Sequence, residues 1–296
     1  MHRFCAAQIA LVACATVFAG PGPAGDSKEE KETQTYAVKT IKDVTYYDGE
    51  DADKVKHKLD LYLPKDKDGF PVFFFVHGGA WVHGDKNFFN LYSTLGSTFA
   101  KQGIGVVVTN YRLSPGVQHP EHVKDVARAF AWTYKNIEKY GGRPDQIFVG
   151  GHSAGAHLAA LLASDDTYLK AEGLSADKIK GVIPISGMYQ IPDKLLPAVF
   201  GKDEEVRRKA SPLNHARAGL PPFLILYADK DLPGCDKDQG EAFAKALNDI
   251  GTKVTTLAVK DSNHYLIILN TASGKGPAPQ AILDFIAAQT KDTKKN

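Results

Sequence analysis

The sequence predicts an α/β protein built as one doubly wound domain, with a mostly parallel central sheet of about eight strands. Short, continuous apolar runs recur along the chain, and such runs are typical of strands buried on both faces of a parallel sheet. The segments between them carry apolar residues at three- and four-residue intervals, which indicates helices. Because strands and helices alternate, we expect right-handed crossovers within one sheet. The runs cover residues 72–76, 104–108, 147–149, 182–185, 223–226 and 254–259.

The N-terminal part of the predicted sheet follows a different pattern. Residues 43–47 and 58–63 alternate between apolar and polar side chains, which predicts two half-exposed antiparallel strands at one edge. Glycines such as Gly141-Gly142 and Gly251 end the helical patterns and mark where the chain leaves each helix. The helical patterns cover residues 123–137, 243–250 and 282–286.

Composition favours a globular domain with a large core. The 296 residues are 43% hydrophobic and 24% charged, and the formal net charge is +2. Nearly balanced charges give no strong positive field, so no nucleic-acid partner is predicted. We assign the domain to residues 37–290 and predict that residues 291–296 form a short, solvated basic tail.

The first residues have the pattern of an export signal. A positive start at Arg3 precedes an uncharged apolar stretch over 4–19, and a Gly/Pro-rich break follows it. We therefore predict a signal peptide over residues 1–24, a flexible linker over 25–36, and a periplasmic or extracellular protein. The apolar stretch is too short to predict a membrane span. A lipoprotein signal, with a lipid anchor on Cys14, is the alternative.

A pentapeptide in the middle of the chain carries the pattern of a nucleophilic serine. Gly151-His152-Ser153-Ala154-Gly155 directly follows the apolar run 147–149 and precedes the strong helix former 156–162. Strand, tight turn and helix are the context of a nucleophile elbow, in which flanking glycines let the backbone pass closely. The sequence therefore predicts Ser153 as a nucleophile.

A serine nucleophile needs a base, and the base needs an orienting acid, in the chain order serine, acid, histidine. His264 lies in a predicted loop beyond the run 254–259 and is the predicted base. Asp229 and Asp231 both follow the run 223–226, and spacing leaves both open as the acid, with Asp261 more distant.

Two other histidines are weaker candidates for the base. His152 lies beside the nucleophile, and His157 lies on the helix that follows it. Because neighbours on an elbow point away from the serine, we expect packing or hydrogen-bonding roles for both.

The sequence also predicts donors for the oxyanion that develops in acyl transfer. His77-Gly78-Gly79-Ala80-Trp81 ends a buried strand, and its glycines allow the backbone to approach a substrate oxygen. The predicted donors are the backbone N–H groups of Gly78, Gly79 and Ala154. Trp81 has two open interpretations, a substrate-binding surface or packing beneath the loop. The segment 188–220 is expected to form a small flap over this site, a minimal cap.

These residues resemble the hormone-sensitive-lipase-like, feruloyl (carbohydrate) esterase and arylformamidase branch of the α/β-hydrolase superfamily. In that family the acid opens an Asp-x-Pro-like segment, which the resemblance places at Asp231. Ala80 and Ala156 stand where the lipase branch usually has glycines, so the pattern is nearer to the formamidases and feruloyl esterases. The landmarks are His77 to Trp81, Asn110-Tyr111-Arg112-Leu113, residues 151–159, and Asp231 with His264. Asn110, Tyr111, Arg112 and Asp125 also match family positions, where we expect a scaffold around the oxyanion loop.

The resemblance implies a serine carboxylic-ester hydrolase that forms an acyl-enzyme and needs no cofactor or metal. Its expected substrate is a small-molecule or polysaccharide-linked ester, either a short acyl or aryl ester or an acetyl or feruloyl group on a polysaccharide. One alternative is arylformamide or other amide hydrolysis. The other is a hydrolase-fold binding protein without activity, which the presence of every predicted catalytic group disfavours.

Overall fold

The computed structural model describes residues 34–291. The predicted signal peptide, most of the predicted linker, Cys14 and the tail from residue 292 lie outside the described residues. Within them, residues 34–37 precede the first strand without regular secondary structure, and Lys291 is the last residue of a helix.

One eight-stranded sheet forms the centre of the domain, in the order β1-β2-β4-β3-β5-β6-β7-β8. The strands β1 and β2 pair antiparallel, as do β2 and β4, and all other pairs are parallel. The predicted fold class, with its antiparallel N-terminal edge, is confirmed. The strands are β1 Val38–Thr45, β2 Lys58–Pro64, β3 Phe70–Val76, β4 Gly105–Thr109, β5 Gly142–His152, β6 Gly181–Ile185, β7 Phe223–Lys230 and β8 Val254–Asn263.

Helices connect the strands and cover both faces of the sheet. The described part of the chain contains no helix long and apolar enough to cross a membrane. The α-helices are α1 Leu91–Lys101, α2 Glu121–Asn136, α3 Ala154–Ser164, α4 Asp166–Ala171, α5 Pro197–Phe200, α6 Glu204–Ala210, α7 Lys237–Asp249, α8 His264–Ala272 and α9 Pro277–Lys291. Short 3₁₀ turns lie at Phe88–Asn90, Ile137–Tyr140, Ala176–Lys178 and Pro212–His215.

The continuous apolar runs are explained by two hydrophobic cores, one on each face of the sheet. Along β3, Phe74 belongs to the core beneath α2 and α3, whereas Phe73 and Phe75 belong to the core beneath α1, α8 and α9. Phe74 packs edge-on against Phe130 of α2, with 5.7 Å between ring centroids. Since both faces are covered, neither set of alternating side chains is polar.

The first strand begins at Val38, five residues earlier than its alternation predicts. A register shift between Ile41 and Val44 interrupts its pairing with β2, and Asp43 within it has a φ of 58°. The partly buried side chains of this strand, Val38, Ile41 and Val44, lie three residues apart instead of two. Residues 38–42 therefore lack the period of two that marks a half-buried strand.

Residues 188–220 form α5, α6 and the 3₁₀ turn Pro212–His215, and this segment packs beside α3. His157 of α3 forms a 2.7 Å hydrogen bond with the carbonyl oxygen of Ala210. The segment lines none of the cavity beside Ser153, so its prediction as a flap over the site is wrong. Its apolar side chains, such as Val199 and Phe200, are buried in the hydrophobic core.

Candidate active site

Ser153 lies in the tight turn between β5 and α3, at the carboxyl edge of the sheet. Its backbone has φ 57° and ψ −120°, and its N–H donates to the carbonyl oxygen of Ile185 over 2.9 Å. A Cβ at Gly155 would fall onto the Val76 carbonyl oxygen, and one at Gly151 would lie 2.5 Å from Gly155. The two glycines are therefore required for this turn, and the strained backbone is typical of a functional position.

Asp231 and His264 meet beside this turn. Asp231 Oδ1 lies 2.6 Å from His264 Nδ1, and both side chains are buried. The same oxygen accepts from Leu232 N–H at 2.9 Å, while Oδ2 accepts from Ser186 Oγ at 2.6 Å and from Ala228 N–H at 2.9 Å. Burial tends to raise the pKa of the Asp231 carboxyl, but hydrogen bonds, first that with His264, outweigh burial and lower it.

Asp229, the alternative acid, faces away from His264 toward the end of β8. Its carboxylate accepts from Asp261 N–H and Ser262 N–H, each over 2.9 Å. These bonds hold the segment that leads into His264. The geometry thus selects Asp231, the residue that the resemblance also indicates, as the partner of the histidine.

His264 begins helix α8 directly, so the predicted loop position of this residue is wrong. Strand β8 continues to Asn263, whose side chain caps α8 by accepting from Tyr265 N–H at 3.0 Å and Leu266 N–H at 2.9 Å. The polar sequence at the end of β8 suggested a loop, but the N–H groups of Asp261 and Ser262 are satisfied by the Asp229 carboxylate, and pairing with β7 resumes between Lys230 and Asn263. The cap fixes where the imidazole enters the site.

Two polar residues of the site were not predicted as part of it. Ser186 follows β6, is buried with a φ of 51°, and donates to Asp231. His152 forms a 2.9 Å hydrogen bond through Nε2 with the His264 carbonyl oxygen and lines the cavity. The available sequence signal was their position at the ends of neighbouring parallel strands, where polar groups converge.

His152 is a hydrogen-bonding residue, as expected, but the expectation that it points away from the serine side of the turn is wrong. Its ring centroid lies 4.6 Å from that of His264. Burial, together with the positive charge that His264 can carry, lowers the pKa of His152 to about 3. A neutral His152 therefore supports the backbone of His264 without competing for protons.

The loop after β3 presents its N–H groups differently from the prediction. Gly78 N–H donates to the Tyr92 hydroxyl over 2.9 Å, so its prediction as an oxyanion donor is wrong: the donor is already used. Among the described residues, the N–H groups of Gly79 and Ala154 have no hydrogen-bond acceptor. Burial raises the pKa of Tyr92 to about 12, so this hydroxyl stays protonated at neutral pH.

Residues around the loop hold it in place. Tyr111 stacks on His77 with 4.4 Å between ring centroids, and its hydroxyl donates to the His77 carbonyl oxygen over 3.2 Å. Arg112 binds the buried Asp125 carboxylate through Nε and Nη2, each over 2.8 Å. The Asn110 side chain accepts from a backbone N–H in the segment after the loop. These contacts match the scaffold role that was expected of the three consecutive residues and Asp125.

Trp81 packs beneath the loop and does not line the cavity, so of its two interpretations the substrate-binding surface is wrong. Only 4% of the side chain is exposed. Its Nε1–H donates to His157 Nδ1 over 3.2 Å, and Phe200 packs edge-on against the indole at 4.9 Å. The backbone at Trp81 has a φ of 61°, which turns the side chain into the core.

A cavity of about 310 Å³ joins these groups. Its ionisable side chains are histidines and tyrosines, and the rest of its walls are mostly apolar. Residues 34–291 contain no cluster of three His, Cys, Asp or Glu side chains suited to a metal ion. The lining residues are Gly78, Gly79, Ala80, His83, Gly84, Phe88, Leu91, Tyr92, His152, Ser153, Leu232, His264, Tyr265 and Ile268.

A mostly parallel sheet with a serine in the turn after β5, an aspartate after β7 and a histidine after β8 defines an α/β hydrolase. The family model BD-FAE matches residues 59–247, nearly two thirds of the chain. The chain belongs to the BD-FAE family, which confirms the resemblance to this group of esterases. The match includes Ser153 and Asp231 and ends before His264.

Similar proteins include esterases. The esterase LipQ of Mycobacterium tuberculosis is 32% identical over 73% of this chain and 55% of its own length. The isoprenylcysteine alpha-carbonyl methylesterase ICME of Arabidopsis thaliana is 31% identical over 81% of this chain and 61% of its own length. The chain thus spans somewhat more than half of these relatives. A truncated carbohydrate esterase from gut microbiota shares the fold, with a TM-score of 0.74, 22% identity, and coverage of 87% of this chain and 98% of its own.

Proposed function

We propose that the protein is a serine carboxylic-ester hydrolase. The observation that carries the proposal is the 2.6 Å hydrogen bond between Asp231 and His264, whose imidazole opens into the same cavity as the strained Ser153 turn. A histidine held by a buried carboxylate beside a serine on an elbow is the arrangement that activates a hydroxyl for attack. The esterase names of the two relatives support this assignment.

In the proposed reaction, Ser153 Oγ attacks the ester carbonyl while His264 Nε2 takes its proton. Asp231 holds the Nδ1–H tautomer and stabilises the imidazolium. The N–H groups of Gly79 and Ala154 bind the oxyanion; of the three predicted donors only Gly78, whose N–H is bonded to Tyr92, is left out. His264 then returns the proton to the leaving alcohol, and water hydrolyses the acyl-enzyme by the same route.

Short acyl and aryl esters are the proposed substrates because the cavity is small and mostly apolar. Acetyl or feruloyl groups on polysaccharide are the finer form of this proposal. We also propose that the protein works after export, on the basis of the signal-like residues 1–24.

A substrate panel tests the proposed function. We expect the purified protein to hydrolyse p-nitrophenyl acetate and butyrate with kcat/KM of about 10⁴ M⁻¹s⁻¹ or more. Acetylated xylan and a feruloylated sugar test the polysaccharide form, and N-formylkynurenine tests the amide alternative. Turnover of no ester would overturn the proposal, as would faster hydrolysis of the formamide than of every ester. Activity on p-nitrophenyl esters alone would overturn only the polysaccharide form.

Removal of the Tyr92 hydroxyl is expected to lower kcat about tenfold and to leave KM within about twofold. In Tyr92→Phe the Gly78 N–H loses its acceptor, and a buried unpaired donor costs about 1–3 kcal/mol. The loop that carries the neighbouring Gly79 N–H then loses its fixed position, which affects the transition state more than the ground state. Steady-state kinetics with p-nitrophenyl butyrate measure the split between kcat and KM.

Tyr62→Phe provides the matched control. Tyr62 is a second buried tyrosine in the same core, and its hydroxyl interacts with the Asp60 carboxylate at 3.5 Å and with the Ser93 side chain instead of with the loop after β3. Both variants should lose some thermal stability, but only Tyr92→Phe should lose kcat. An equal fall of kcat in both variants, or a change confined to KM, would refute the positioning role.

A further inference from the structure

Large hydrophobic side chains are exposed mainly in one place on the described surface. Six of the seven exposed large hydrophobic residues cluster where α8 approaches the segment before α1, and only Val55 lies apart from them. Single exposed apolar residues are ordinary, but a contiguous patch marks a binding surface. The six are Phe88 (44% exposed), Phe89 (88%), Leu232 (42%), Tyr265 (63%), Leu266 (42%) and Leu269 (49%).

Five of these side chains line an apolar groove of about 580 Å³ between residues 88–94 and helix α8. None of its lining residues carries a charge. Hydroxyl and amide side chains are present, but they are outnumbered along its walls. The groove is lined by Phe88, Phe89, Asn90, Leu91, Thr94, Tyr265, Leu266, Ile268, Leu269, Asn270, Ala272 and Ser273.

The groove adjoins the cavity beside Ser153. Phe88, Leu91, Tyr265 and Ile268 line both, so they form the boundary between them. Helix α8 contributes His264 to the cavity at its first residue and apolar side chains to the groove over its next two turns. The groove therefore lies along α8 directly beside the cavity that holds Ser153.

The segment that forms the opposite wall is held in an unusual backbone conformation. Phe89 has φ 43° and ψ 34°, and Asn90 has φ 59° and ψ 9°. Left-handed backbone at a phenylalanine is uncommon and costs about 1–3 kcal/mol. The result is that Phe88 and Phe89 project together, with 4.7 Å between their ring centroids. Such strain is typical of a segment that serves binding.

We propose that this groove binds the apolar arm of the ester substrate, a linear alkyl chain on either the acyl or the alcohol side. The inference rests on the proposed function and names the substrate class for the same site: esters with a long hydrocarbon arm. The occupant follows from the groove's position beside the cavity and from the absence of charge along its lining.

Two ester series test the proposal, both kept below their critical micelle concentrations. One is p-nitrophenyl esters of acids from two to ten carbons, and the other is acetate esters of alcohols of the same lengths. We expect kcat/KM to rise by about two- to fourfold per methylene along one series, since each methylene leaves water for the groove. The series that responds identifies the arm.

Groove variants show whether this gain arises from the groove. In Leu269→Ser and Phe89→Ser, kcat/KM for the eight-carbon ester should fall about tenfold, while kcat/KM for p-nitrophenyl acetate stays within about twofold. Both residues line the groove and not the cavity, and both are exposed, so the fold should tolerate the changes. Val55→Ser, at the exposed hydrophobic residue outside the patch, is the control and should change neither rate.

The two proposals fail differently. No hydrolysis of p-nitrophenyl acetate would overturn the proposed function. Hydrolysis of the acetate with no gain along either series, or a gain that Leu269→Ser and Phe89→Ser leave intact, would overturn the groove proposal alone. A dimer that Leu269→Ser converts to monomer without any chain-length effect would also overturn it, because a second copy would then occupy the groove.

Discussion

Replacement of Ser153 by alanine is expected to abolish ester hydrolysis, with a fall in kcat of about 10⁴-fold or more. The side-chain oxygen is the proposed nucleophile, and no other hydroxyl in the cavity lies on a turn between a strand and a helix. Alanine keeps the Cβ that serine already holds at φ 57°, so the strain of the elbow is unchanged. The variant should therefore melt within about 2 °C of the parent protein, which thermal unfolding by circular dichroism measures.

Labelling with a fluorophosphonate probe gives an independent measurement of the same residue. The parent protein should incorporate one probe per chain, and Ser153→Ala should incorporate none. Ser93→Ala, on helix α1 outside the cavity lining, is the control and should label fully. Undiminished labelling of Ser153→Ala would show that another residue reacts, and the proposed mechanism would then be wrong.

Asp231→Asn is expected to lower kcat by about 10³- to 10⁴-fold at neutral pH with little change in KM. In the parent protein, both carboxylate oxygens of Asp231 only accept hydrogen bonds. If the amide NH₂ faces His264, the imidazole must adopt the tautomer that cannot take the serine proton. If it faces the other way, it meets the Ala228 N–H, donor against donor, and the negative charge that stabilises the imidazolium is still lost.

Asp229→Asn is the matched control for this prediction. The two aspartates lie two residues apart and flank the end of β7, but Asp229 binds Asp261 N–H and Ser262 N–H instead of the histidine. An asparagine oxygen can still accept one of these bonds, so kcat should fall less than about tenfold. Stopped-flow or steady-state assays of both variants decide the assignment. A larger loss in Asp229→Asn than in Asp231→Asn would reverse it.

One helix contributes both to the proposed catalytic site and to the proposed groove for a hydrocarbon arm. Helix α8 positions His264 at its start and carries Tyr265, Leu266 and Leu269 on the exposed side. Occupation of the groove by an apolar arm would cover these side chains and hold the carbonyl near the serine. Binding energy from the arm is then available to orient the reacting bond.

Much of the fold was predictable because parallel strands covered by helices on both faces appear in the sequence as continuous apolar runs. The runs over 72–76 and 223–226 are apolar throughout because both faces of those strands are buried. The first strand was only partly predictable, since the burial of its residues 38–42 lacks the alternation on which the prediction depended. Its position was set by pairing with β2, which local sequence does not encode.

The site shows the same division. Glycines mark the turn at Ser153 because no larger residue fits beside the neighbouring backbone, so that turn has a local signature. Spacing alone could not choose between Asp229 and Asp231. Both lie at the same strand end, and they differ only in the direction of their side chains, which spacing does not show. Tyr92 had no local signature, since it acts through a partner distant in sequence, and Ser186 was marked only by its place directly after a buried strand.

The sequence by itself determined the fold class, the tight turn that carries Ser153 and the chain order of the three proposed catalytic residues. Each depends on features that the sequence shows directly: continuous burial of strands, steric limits at glycine, and the order of the strands along the chain. Tertiary structure alone decided which N–H groups remain free, that Trp81 packs in the core, and that the apolar side chains of α8 meet Phe88 and Phe89. These outcomes depend on groups that are distant along the chain and become neighbours only when the sheet and its helices have assembled.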